Sequence, residues 1–263
     1  MDLGIKCRVA IVGGASKGLG RACAERLAEA GAHVVVCARG EETLDAAVHE
    51  LRERYSCGVL GVSADLTQQA DIERVCQQAI TTFGQVDIVV NNTGGPPAGR
   101  FADFDDAAWQ AAFERLVMYP VRMIHCVLPG MVERKWGRIV NITSMSVKEP
   151  VDNLILSNVF RAGWTAMAKT LSREYAGENV LINSICPGSF RTARQEELIG
   201  GRAEREGRTV EEVEADMVKA IPAGRLLEPD ELGSLVAFLC SERASGMTGD
   251  SIAVDGGYLR GLL

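Results

Sequence analysis

Several things are scarce in this sequence, and each scarcity excludes something. There are 3 histidines, His33, His49 and His125, with no spacing that sets two ligands together, so no metal centre is expected. No stretch approaches the roughly 18 uninterrupted apolar residues of a membrane span. The first residues, Met1 to Lys6, lack the basic-then-apolar pattern of a secretory leader, and a cytoplasmic protein is expected. Positive charge is in deficit: 28 basic against 35 acidic side chains leave a net charge of −7, which argues against a nucleic-acid partner. The 8 cysteines stand singly, without a C-x-x-C pair, and read as small buried hydrophobes of a reducing compartment. Aromatic residues make up only 5%, and the 4 tyrosines fall at Tyr55, Tyr119, Tyr175 and Tyr258, a distribution that matters below.

What is present is an ordinary globular mixture, 47% hydrophobic and 24% charged, in 263 residues. Short β-branched runs at 7–12, 33–37, 59–62, 86–91, 138–143, 180–185 and 251–254 alternate with helical patterns near 18–30, 41–54, 68–83, 105–133, 157–176 and 229–241. That alternation predicts an α/β fold: one Rossmann-type, doubly wound domain over residues 1–263, with a seven-stranded parallel sheet and helices on both faces. No Pro-, Gly- or Ser-rich linker divides it. The stretch 193–221 breaks the rhythm, being charged at first and then helical from a capping box at Thr209-Val210-Glu211-Glu212, with an apolar stripe Val210, Val213, Met217 and Ile221. Following the sixth strand, it would overhang the carboxyl ends of the strands as a substrate lid, or else form a surface excursion or subunit contact.

The first strand runs into Gly13-Gly14-Ala15-Ser16-Lys17-Gly18-Leu19-Gly20 and then an Ala-rich helix. Strand, glycine loop and helix in this order suit a dinucleotide, whose pyrophosphate would sit on the helix N-terminus, close to Gly14, Ser16, Gly18, Leu19 and Gly20. The second strand ends in Val36-Cys37-Ala38-Arg39. An acid there would hold a ribose 2′-hydroxyl; Arg39, joined by Lys17 from the glycine loop, suits a 2′-phosphate, so NADP(H) is expected over NAD(H).

Further motifs follow in order: Asp65-Leu66 after the third strand, Asn91-Asn92-Thr93-Gly94, Leu128-Pro129-Gly130-Met131, Gly137-Arg138-Ile139-Val140-Asn141, Pro187-Gly188 with Thr192, Thr248-Gly249, and Val254-Asp255-Gly256-Gly257. Over essentially its full length the chain resembles the short-chain dehydrogenase/reductases, in the subgroup that includes 3-oxoacyl-carrier-protein reductases. The resemblance implies that Asp65 and Leu66 contact adenine, and that Asn92, Gly94, Pro187, Gly188 and Thr192 belong to the cofactor site, the last three near the nicotinamide. It also implies a homotetramer or homodimer acting on a small-molecule substrate.

The family's catalytic group is a serine, a Tyr-x-x-x-Lys pair on the next helix and an asparagine on the long helix. Ser144 occupies the serine slot. Counted back from Ala168-Lys169-Thr170, the tyrosine slot falls on Ser157 and the lysine slot on Arg161; the interval of 13 from Ser144 agrees. The asparagine slot falls on Leu116. None of the tyrosines stands in the catalytic place.

In the family the tyrosine is the general acid, its pKa brought down from about 10 by the lysine. A serine is a far poorer acid, and arginine keeps its proton. One turn apart, Ser157 and Arg161 suit a different service, hydrogen bonds to a carbonyl, carboxylate or enolate oxygen. Three accounts follow. The chain is a reductase of conjugated double bonds, its enolate held by Ser144, Ser157 and Arg161 while water gives the proton; or a carbonyl reductase whose acid has moved, to Tyr119 or Lys148; or a catalytically impaired nucleotide-binding or assembly protein. The polar replacements favour the first. Ser157 could instead be a helix N-cap and Arg161 a salt-bridge residue. The loop Gly94 to Gly99 would border nicotinamide and substrate, and Phe160, Trp164 and Met167 read as core or subunit interface.

Overall fold

The computed structural model describes residues 2–262. Its strands β1 (Val9–Val12), β2 (His33–Ala38), β3 (Val59–Ser63), β4 (Ile88–Asn91), β5 (Gly137–Ile142), β6 (Val180–Pro187) and β7 (Ser251–Val254) form one sheet, every neighbouring pair parallel, in the order β3-β2-β1-β4-β5-β6-β7. The α/β fold expected from the alternation is the observed one. Because both faces are covered, β1, β4, β5 and β6 are buried at every position, which is why they read as unbroken apolar runs.

Alternate residues of β1 feed two cores. Ala10 and Val12 pack with α1 (Gly18–Glu29), α2 (Glu41–Arg54) and α9 (Pro229–Leu239), while Val9 and Ile11 pack with α3 (Gln69–Phe83) and α5 (Tyr119–Glu133) on the other face. The chain leaves β1 toward β2 but enters β4 on the other side, so a crevice opens between them at the carboxyl ends of the strands.

Most strand and helix ends move by a residue or two from the sequence reading, and four differences have a clear local cause. The first strand begins at Val9 rather than 7, because Cys7 takes a left-handed backbone, φ 63°, that no strand continues through. The long helix over 105–133 carries a π-helical turn, Glu114–Met118, between α4 (Asp106–Phe113) and α5. The charged start of 193–221 is itself a helix, α7 (Ala193–Glu206), capped by Thr192 and laced by pairs such as Arg202–Glu206 four residues apart. Its charge density hid an apolar edge, Ile199 and Ala203, which packs on Val213 of α8 (Val210–Ala220) as a small core of its own. The capping box at Thr209 and Glu212 is formed as expected, but Val210 is 46% exposed and lies off the buried stripe. Finally, α6 (Ile155–Tyr175) starts earlier than 157, with Leu154 as N-cap; Ser157 is inside the first turn and does not cap it.

Among the described residues no helix is long and apolar enough to cross a membrane, and no group of three or more His, Cys, Asp or Glu side chains could hold a metal ion.

Candidate active site

A cleft of about 1200 Å³ lies along the carboxyl ends of the strands. Its nucleotide end is built by the glycine loop. Asn92 Nδ2 donates to the Gly13 carbonyl at 3.0 Å and pins the loop to the end of β4. Gly14 sits at φ 56°, in the left-handed region, with Asn92 against it, so a side chain there would be strained and obstructed. Helix α1 then begins at Gly18 with no side-chain cap and no acid in its first turn. Its first N–H groups, beside the cleft, are left for an anion.

Of the sequence-derived cofactor residues, Gly14, Ser16, Lys17, Gly18, Leu19, Arg39, Asp65, Leu66, Asn92, Gly94, Pro187, Gly188 and Thr192 line this one cleft. Gly20 does not. It lies buried below the loop, where a Cβ would collide with the Gly14 carbonyl oxygen; it permits the close helix approach rather than touching a ligand. Lys17 and Arg39 are exposed, and neither has a carboxylate within ion-pair distance among the described residues. These features fit a dinucleotide: a glycine cradle, free amide donors, and two uncompensated cations at the mouth.

At the far end of the cleft Ser144, Ser157 and Arg161 line the same space. Ser144 Oγ accepts from the Ser146 N–H at 3.1 Å, which leaves its own proton free. Ser157 is only 6% exposed, and its hydroxyl makes no hydrogen bond to a described residue. Arg161, also 6% exposed, donates through Nη1 to the carbonyls of Ile142 and Thr143, both at 2.8 Å. No carboxylate lies within 4.0 Å of it among the described residues, so the salt-bridge alternative fails. Burial, reinforced by the nearby Arg194, pushes its pKa down to about 10. It therefore stays cationic through the neutral range.

Comparison with known proteins adds a lineage to this geometry. A family model described as enoyl-(acyl carrier protein) reductase matches residues 14–259. The 3-oxoacyl-[acyl-carrier-protein] reductase of Aquifex aeolicus is 30% identical over 257 residues, 98% of this chain and 99% of that protein. The chain belongs to the short-chain dehydrogenase/reductase family. Among solved structures, the L-sorbose reductase of Gluconobacter frateurii, in complex with NADPH and L-sorbose, superposes with a TM-score of 0.94 at 33% identity, covering 100% of both chains. Another similar structure is an actinorhodin polyketide ketoreductase variant with NADPH, at 32% identity and a TM-score of 0.92 over 95% of this chain and 97% of that one. This chain is thus an oxidoreductase of that family.

Neither Tyr119 nor Lys148, the two positions to which an acid could have moved, is suited to giving a proton, and Leu116 offers none. Leu116, in the asparagine slot, is wholly buried in the π turn and off the cleft. Tyr119 does reach the cleft wall, but it is 1% exposed, with its hydroxyl beside Asn92 and against Gly13; burial pushes its pKa well above the ordinary tyrosine value, the wrong direction for an acid. Lys148 is exposed and does not line the cleft. The aromatic stripe of α6 is packing: Trp164 is fully buried, Phe160 sits among Trp109 and Phe113, and Met167 adjoins the second core.

Sequence reasoning missed two cleft residues. Arg115, turned inward by the π turn, donates to the Gly95 carbonyl at 3.4 Å, and Arg194, from the first turn of α7, donates to the Pro96 carbonyl at 2.6 Å. Along the chain Arg194 is one charge among many in 193–221; only the fold brings it over the Gly94-Gly95-Pro96 loop.

Proposed function

We propose that this protein is an NADP(H)-dependent reductase that delivers hydride to a small conjugated enone rather than to a simple ketone. The observation that carries the reading is the trio Ser144, Ser157 and Arg161, each with protons not taken by the protein, in a cleft where the two residues nearest to a replacement acid, Tyr119 and Lys148, are unfit for the task. The nucleotide, when bound, supplies the hydride from its nicotinamide. Ser144 and Ser157 donate hydrogen bonds to the substrate oxygen, and the Arg161 cation lowers the energy of the charge that gathers there. Hydride at the β carbon moves the double-bond electrons toward oxygen, giving an enolate that takes its proton at the α carbon from water. A simple ketone would leave an alkoxide, far more basic, that needs an acid at once; lacking one costs about 10²–10⁴ in rate. Two-helix segment 193–221 serves as the lid over this end of a single domain, with Arg194 as its latch. The assembly implied by the family would cover exposed apolar residues such as Val159 on α6. A cytoplasmic, reducing setting agrees with 8 unpaired cysteines.

The test is NADPH oxidation followed by absorbance against matched enones and saturated ketones, neutral and acidic. Enones should exceed their saturated partners by about 100-fold. Faster reduction of the ketones would overturn the reading, and silence throughout with nucleotide bound would favour a nucleotide-binding or assembly role. For the cofactor, Arg39→Asp should weaken NADPH about 10–100-fold and leave NADH little changed, read by nucleotide fluorescence titration; equal losses for both would argue against a 2′-phosphate at Arg39.

A further inference from the structure

Cations at the two ends of the sheet are treated differently. At the amino end, Arg8 and Arg138 flank the Trp136 ring at 3.8 and 4.4 Å, and both have acids at hand, Asp87 at 3.3 Å and Glu242 at 3.8 Å respectively. Around the catalytic end of the cleft, three arginines, Arg115, Arg161 and Arg194, have between them one carboxylate within ion-pair distance among the described residues: Glu197, 2.7 Å from Arg194, on the surface and 68% exposed. Such a pair is weak and is readily exchanged.

Arg161 keeps Nε and Nη2 free of protein acceptors while its Nη1 is tied to two carbonyls. Arg194 uses Nη1 on Glu197 and Nη2 on Pro96, which leaves most of its guanidinium protons unassigned. Its flat group lies over Gly95, with Nε 3.2 Å from the position a Cβ would take, so a side chain there would push the guanidinium off by a few tenths of an ångström. Arg161 and Arg194 line the same cleft, and the charge of Arg194 adds to burial in disfavouring the Arg161 cation. A buried cation facing a second cation is costly unless an anion joins them.

The anions of the nucleotide have receptors elsewhere. The pyrophosphate falls to the N-terminus of α1, and the 2′-phosphate to Lys17 and Arg39, at the opposite end. What remains must come from the substrate.

We propose that the substrate carries a carboxylate held by Arg194, in the same small molecule as the conjugated carbonyl held by Ser144, Ser157 and Arg161. The substrate class is therefore an unsaturated oxo acid. This rests on the reading of the cleft as a reductase site, and it adds a specificity-determining residue, Arg194, which touches the substrate away from the reacting atoms. Arg115 adds positive potential and steadies Gly95 from the other side. Forked recognition of a carboxylate by an arginine resting on a glycine would also explain why the loop is Gly-Gly-Pro-Pro: no side chain intrudes, and the prolines hold the backbone for the Arg194 contact.

The experiment is calorimetric titration of the NADP⁺-bound protein with 3-oxocyclohexane-1-carboxylate and with its carboxamide, the saturated counterparts of a cyclic enone acid and amide. The carboxylate should bind about 10–100-fold more tightly. Arg194→Gln should erase that ratio, Arg194→Lys should keep part of it, and both variants should bind NADP⁺ as the native protein does. Equal affinities in the native protein, a ratio that survives in Arg194→Gln, or no binding of either compound overturns the proposal. Because the readout is binding, it separates from the reductase reading: a carboxylate preference without enone turnover defeats the reaction assigned above, and enone turnover without that preference defeats only the assignment of Arg194.

Discussion

Arg161→Ala should lower NADPH-dependent turnover by about 10²–10³ while nucleotide affinity stays nearly unchanged, as expected when one donor of an oxyanion site is removed. The expectation comes from what the guanidinium does with its protons. Two are spent on the carbonyls of Ile142 and Thr143, which fix it at the end of β5, and the rest have no acceptor among the described residues in a side chain that lines the cleft. An arginine held this way does not need to reorganise when negative charge appears on a substrate oxygen. The substitution leaves those two carbonyls without their donor, a loss of about 1–3 kcal/mol each if water does not replace it, set against relief from burying an uncompensated cation. A thermal melt with and without NADP⁺ separates misfolding from lost chemistry. The native pH profile supplies a second readout. Because the Arg161 pKa is lowered only to about 10, its charge is fully present at neutral pH and lost as pH rises through that value. Turnover should therefore hold level through neutrality and fall near pH 10. An Arg161→Ala protein that melts normally, binds nucleotide and turns over at the native rate would remove Arg161 from the mechanism.

The paired change Ser157→Tyr with Arg161→Lys should raise kcat/KM for a saturated ketone by about 10²–10⁴, the usual worth of a placed general acid. Ser157 faces the cleft from the first turn of α6, so a phenol there extends into the open volume rather than into the core. A lysine one turn on would bring the phenol pKa down toward neutrality. Leu116 sets a ceiling on the gain, since its side chain has no polar atom with which to order a water behind the new pair. Ser157→Tyr alone should gain less, because Arg161 spends Nη1 on backbone carbonyls. A double variant that binds NADPH yet shows no gain would mean that the slot inferred by counting is not where a proton can be given.

The glycine loop, the order of strands and helices and the gathering of Ser157 and Arg161 beside Ser144 were legible because each is local: Gly14 and Gly20 are dictated by backbone geometry within a few residues, and Ser157 and Arg161 by their distance along the chain from Ser144. Helix α7 was not legible, because its surface is laced by close ion pairs and its apolar side is only Ile199 and Ala203, packed on Val213 of α8, which a hydrophobic periodicity scarcely registers. Nor could counting say that Tyr119 is locked against Gly13, since that contact joins residues more than a hundred positions apart.

By itself the sequence determined the sheet and the glycine loop, because hydrophobic period and glycine spacing are written along the chain. Which donors remain free was decided only in three dimensions. A side chain's chemistry depends on what else takes its hydrogen bonds, and the partners of Arg161, Arg115 and Arg194 come from β5 and from the loop after β4, brought to them by the sheet order and the fold of 193–221.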